Sequence, residues 1–123
     1  MNTPVTVDDA TLIEVTGTIQ ELLNCANAGR LLDGFALYSP NHLGRFMSEH
    51  GLTSESLWAK YSAARPPARA PTELDAVLAA GSLPGGGIWI TVRYRDGLST
   101  GKPVEERYTF IWDSQLERWL IDD

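Results

Sequence analysis

Two residues of this 123-residue sequence, Tyr108 and Asp122, could move a proton in a ligand pocket. Asp122 could act as a general acid or base only if its strand turned it inward, into apolar surroundings that raise its pKa. Tyr38, at the end of a short apolar run, could hydrogen-bond a ligand together with Asn41. Trp58 and Tyr61 form an aromatic pair at helical spacing that either lids a cavity or completes a core. His42 and His50 lie about two helical turns apart with no third ligand at useful spacing, so no metal site is expected. His42 follows Pro40 in a first helical turn, where exposure or a hydrogen bond to the chain is expected. Cys25 is the only cysteine, which excludes an intramolecular disulfide or a multi-thiolate site. Set among Leu22, Leu23 and Ala26, it reads as a small apolar residue of a helix. The triplet Gly85-Gly86-Gly87 lacks the Gly-Lys-Ser/Thr that completes a phosphate loop, and reads as a hairpin turn. No cofactor is implied.

The elements that must position these groups divide the chain in two. Over residues 7–29, Leu12, Val15, Ile19, Leu22, Leu23 and Ala26 recur at three- and four-residue steps, which predicts a helix capped by Thr6 and ended by Gly29. A short apolar run follows over residues 31–38. Ser39-Pro40 then starts a helix that turns Leu43, Phe46 and Met47 inward and stops at Gly51. Thr53 or Ser54 opens a further one to Ala64. Three prolines in residues 65–71 predict an extended crossing between the helical half, 7–64, and a sheet half, 72–123. There the period becomes two, and strands are predicted over 72–83, 88–95, 104–113 and 117–122, with a short helix as the alternative for the alanine-rich start of the first.

Alternation places Ile88, Ile90, Val92 and Tyr94 on one side with Tyr108, Phe110 and Trp112, and this joined face is the one the helices cover. The other side holds Trp89, Thr91 and Ile111 among Arg93 and Arg107, apolar enough to suggest a homodimer interface. The last strand is ambiguous, because a one-residue slip exchanges Trp119 and Ile121 for Leu120 and Asp122 on the inner face. The fold class is therefore α+β, a single domain of N-terminal helices packed on the concave face of a four-stranded antiparallel meander.

Hydrophobic residues make up 43% and charged residues 21%, which excludes disorder as a description of the whole chain. Ten Lys+Arg against 16 Asp+Glu give a net charge of −6 without a basic stripe, so nucleic acid is not an expected partner. No stretch approaches the roughly 18 apolar residues of a membrane span, so no membrane partner is expected. The start Met1-Asn2-Thr3-Pro4-Val5 lacks the marks of a signal peptide, and a cytoplasmic location is expected.

The run Asn27-Ala28-Gly29-Arg30-Leu31-Leu32-Asp33-Gly34-Phe35-Ala36-Leu37-Tyr38 and the closing Glu117-Arg118-Trp119-Leu120-Ile121-Asp122-Asp123 carry a resemblance. With the order of helices, crossing and meander, they resemble the nuclear transport factor 2-like superfamily, the cystatin-like cone that includes SnoaL-like cyclases and ketosteroid isomerases. Arg30 stands where the family segment usually has aspartate. The resemblance implies a cone with a ligand space and says little of activity. Laid on this chain, the ketosteroid isomerase set falls at Leu22, near Phe46 and near Tyr108, and two of these three have no acid–base capability. The Asp-Arg-Asp set of limonene epoxide hydrolases is not matched either, since Arg95 and Asp96 are adjacent and point to opposite faces. The expected function is binding of an apolar or aromatic small molecule between helices and sheet, through Tyr38, Asn41, Trp58, Tyr61, Tyr94, Tyr108, Phe110 and Trp112. The alternatives are an isomerase, cyclase or dehydratase using Asp122 or Tyr108, and a dimeric interaction module.

Overall fold

A computed structural model describes residues 7–63, 71–95 and 103–123. The proline-rich crossing, except Pro71, and the Asp96-Gly97 turn lie outside the described residues. The order is four helices, α1 (Asp9–Asn27), α2 (Leu31–Phe35), α3 (Pro40–Glu49) and α4 (Ser54–Tyr61), then four strands, β1 (Glu73–Ser82), β2 (Ile88–Arg95), β3 (Pro103–Asp113) and β4 (Arg118–Ile121). The strands pair antiparallel in the order β1-β2-β3-β4, the expected meander in an α+β fold. No helix among the described residues is long and apolar enough to cross a membrane.

The helix starts follow from capping. Asp8 caps α1, its carboxylate accepting from the Thr11 amide at 2.7 Å, and Thr6, the expected cap, lies outside the described residues. Ser39 caps α3 with Pro40 behind it, and Thr53 and Ser56 form a reciprocal capping box on α4. At the other end of α1, Asn27 does something the sequence pattern does not announce. Its side-chain amide donates to the Thr72 carbonyl and accepts from the Thr72 amide, both at 2.8 Å, so it pairs with the start of β1 as a strand residue would.

The core is the contact between α1 and the inner sheet face: Val15, Ile19 and Leu23 meet Ile90, Val92, Phe110 and Ile121, with Leu37. Cross-strand partners confirm the assigned face, since Ile88 opposes Phe110 and Ile90 opposes Tyr108. The register of β4 settles the ambiguous strand. Phe110 opposes Ile121 and Ile111 opposes Leu120, so Ile121 faces the helices and Leu120 lies on the outer side. Residues 37–39 add a short parallel bridge to the free edge of β4: the Ser39 amide donates to the Ile121 carbonyl and the Ile121 amide to the Leu37 carbonyl, both at 2.8 Å.

Several aromatic placements differ from expectation. Trp112 is 48% exposed, its ring set against that of Trp119, 5.4 Å away between centroids. Trp58 is 64% exposed, and of α4 only Leu57 is buried. No α3 residue is fully buried; Phe46 packs on Phe35 instead of on the sheet. On the outer face Trp89 is half-buried within its own chain, with the Arg107 guanidinium 4.5 Å above its ring. It also lies against Gly81, where a Cβ would stand 2.5 Å from the indole nitrogen, so this β1 position has room only for glycine. Arg93 pairs with Asp75 at 2.9 Å.

Candidate functional site

The space expected for a ligand over Phe110 is occupied by the core, and Phe110 itself is fully buried. The open space lies beside it, where α1, the turn into α3 and the inner face of β3 diverge. This cleft of about 350 Å³ is lined by Leu22, Tyr38, His42, Glu106, Arg107, Tyr108, Ile121 and Asp123. Each lining group owes its place to an element already described. Tyr38 is held by the bridge to β4, His42 by the capped first turn of α3, and Glu106 and Tyr108 by the inward alternation of β3 opposite Val92 and Ile90. Arg107 alternates to the other side, where its guanidinium covers Trp89.

Glu106 is the residue that sequence reasoning missed, a carboxylate on the face read from Ile88, Ile90, Val92, Tyr94, Tyr108, Phe110 and Trp112. Tyr94 donates to Glu106 Oε2 at 2.6 Å and Tyr108 donates to the same oxygen at 2.8 Å. The signal was available, since Glu106 is two residues before Tyr108 and so shares its face. Burial, and then the hydrogen bond to Glu106, push the Tyr108 phenol well above its usual range. Tyr38 is raised too, by burial and by the Glu106 charge. Both phenols keep their protons at physiological pH, so Tyr108 can donate a hydrogen bond but cannot serve as a base.

Comparison with family models, curated proteins and solved structures finds no match. Of the residues expected to hold a ligand, Tyr38 and Tyr108 line the cleft, and Tyr94 reaches it through Glu106. Tyr61 packs edge-on against Phe35 at 5.1 Å, while Asn41, Trp58 and Trp112 are exposed away from it. Leu22 and Tyr108, two positions picked out by the isomerase pattern, do meet here. Phe46, the third, belongs to the Phe35 cluster.

Asp122 does not line the cleft. Its carboxylate accepts from Ser39 Oγ at 2.6 Å, and its carbonyl accepts from the Arg45 guanidinium. That carboxylate holds α3 to β4. Among the described residues no group of three or more His, Cys, Asp or Glu is gathered as a metal site. Cys25 adjoins a small apolar void with Leu22, Gly34 and Phe35, and burial raises its thiol pKa. It is therefore a poor nucleophile.

His42 sits with its ring 4.3 Å from that of Tyr38. Burial lowers its pKa from the ordinary 6.5, Arg45 lowers it further, and Asp123, Asp122 and Glu49 oppose the shift. As pH falls through about 6.5 the unfolded chain binds a proton that the folded chain still refuses, so the unfolded state gains. Stability is therefore unaffected by this group at higher pH and declines as pH drops below that point. Denaturation midpoints between neutral and mildly acidic pH should show the decline, and His42→Gln should flatten it. A proton NMR titration should place the His42 midpoint below the ordinary 6.5 of a free imidazole.

Proposed function

We propose that the chain is a small-molecule-binding domain on a nuclear transport factor 2-like cone, with its ligand seated in the Tyr38–Tyr108 cleft. The observation that carries this reading is the convergence of Tyr38, His42, Glu106 and Tyr108 over an apolar floor of Leu22 and Ile121. A volume of about 350 Å³ falls in the range of small-ligand sites, and a few polar groups over apolar walls is their usual composition. Proton-transfer chemistry has less support. Asp122 is committed to Ser39, and Tyr108 holds its proton too firmly to act as a base.

Aromatic fragments screened by two-dimensional NMR should shift the backbone amides of Tyr38, His42, Glu106 and Tyr108. Leu22→Trp fills the cleft from the α1 side and should abolish those shifts while leaving the fold intact. Hits that move only other surfaces, or none at millimolar concentration, would overturn the reading.

A further inference from the structure

The polar inventory of the cleft is lopsided. Tyr94 and Tyr108 both spend their phenolic protons on Glu106 Oε2. Among the described residues, Glu106 Oε1 and the Asp123 carboxylate accept no hydrogen bond or ion pair, and both side chains are exposed at the cleft. Positive charge is directed elsewhere. The Arg107 guanidinium stacks on Trp89 across the sheet, and Arg45 is turned to the Asp122 carbonyl. His42 resists protonation because it is partly buried and near Arg45. At neutral pH the formal charges offered by the cleft's own side chains are thus two carboxylates, beside the rings of Tyr38, His42 and Tyr108.

We infer that this cleft selects a protonated amine carried on an apolar or aromatic body. The ammonium would be received by Glu106 Oε1 and the Asp123 carboxylate, and the body would rest on Leu22, Ile121 and the Tyr38 ring. An anionic ligand would meet two like charges, and the phenolic protons of Tyr94 and Tyr108 are already given to Glu106. A neutral ligand could donate a hydrogen bond to a carboxylate but would balance neither charge. Aromatic faces near the carboxylates add attraction for a cation and none for an anion. This inference rests on the proposed binding function and narrows it to a ligand class.

Three probes of one shape separate the possibilities: phenethylamine, phenethyl alcohol and hydrocinnamate, titrated calorimetrically into the whole chain at neutral pH and low salt. The amine should bind about tenfold more tightly than either of the others, the size expected of a partly screened ion pair. Glu106→Gln and Asp123→Asn should each remove most of that advantage, read as a fall in the ratio of amine affinity to alcohol affinity. Asp123→Asn lies at an exposed position and serves if Glu106→Gln disturbs the fold, as judged by circular dichroism. If the alcohol or the carboxylate binds as tightly as the amine, the ligand class is wrong and the binding function stands. If none of the three binds and the fragment screen is also empty, the binding function falls, and the amine with it.

Discussion

Replacing Phe110 with alanine should destabilise the fold by about 3–5 kcal/mol, the range for deleting a buried aromatic ring. Phe110 is fully buried, opposite both Ile88 and Ile121, and it faces Val15, Ile19 and Leu23 of α1. Removing the ring leaves a cavity at the junction of three strands and a helix, where strand pairing on both sides of β3 limits collapse. A domain of this size has about 5–15 kcal/mol of stability in total, so the variant should sit near the edge of folding. Urea denaturation followed by circular dichroism reads the loss directly. Trp112→Ala, two residues along the same strand, is the control. Its ring is 48% exposed and leans on Trp119, so the expected cost is about 1 kcal/mol, the worth of one aromatic pair. Equal costs for the two would contradict the depth of burial assigned along β3.

The contrast between these two residues also marks where the sequence pattern stops being informative. Alternation correctly put Phe110 and Trp112 on one face, because side-chain direction in a strand is a local property. It could not say that the helices cover one and not the other, because coverage depends on where α1 crosses the sheet. The same holds for Trp58, whose helical spacing with Tyr61 is real although only Tyr61 finds a partner, Phe35. Helix starts were legible from Ser39-Pro40 and Thr53, where one side chain caps one amide. The inward face of β4 was not, since one register presents Trp119 and Ile121 and the other Leu120 beside Asp122, and the choice is made by the turn at Ser114–Glu117, where Glu117 takes φ 53°. The bridge of residues 37–39 to β4 and the Asn27–Thr72 pair are long-range contacts of single residues, and these leave no period to read. As for the cleft, its phenols were visible as aromatic positions. Glu106 drew no reading of its own, although its two-residue spacing from Tyr108 already placed it beside that ring.

Ser39→Ala should cost about 2–3 kcal/mol, a large effect for the loss of one oxygen atom. Ser39 is fully buried, and its hydroxyl has two tasks. It accepts from the His42 amide at 3.1 Å as the cap of α3, and it donates to Asp122 Oδ1 at 2.6 Å. A lost cap costs about 0.5–2 kcal/mol and a hydrogen bond to a charged group contributes about 1.5–3, and because one atom makes both bonds the losses overlap. Asp122→Ala removes the second bond only, and should cost about 1–2 kcal/mol. In a double-mutant cycle the two should couple by about 1 kcal/mol, as expected of groups in direct contact. The functional consequence separates the two roles open to Asp122. If its carboxylate only fastens α3 to β4, Asp122→Asn should lower stability while ligands still shift the amides of Glu106 and Tyr108, because those residues stand on β3. Tyr38 and His42 should respond differently, since both lie beside the Ser39 cap and lose their fixed positions when it loosens. A variant that folds with wild-type stability yet binds nothing would assign Asp122 to the site itself, and would overturn the structural role argued from the 2.6 Å bond to Ser39.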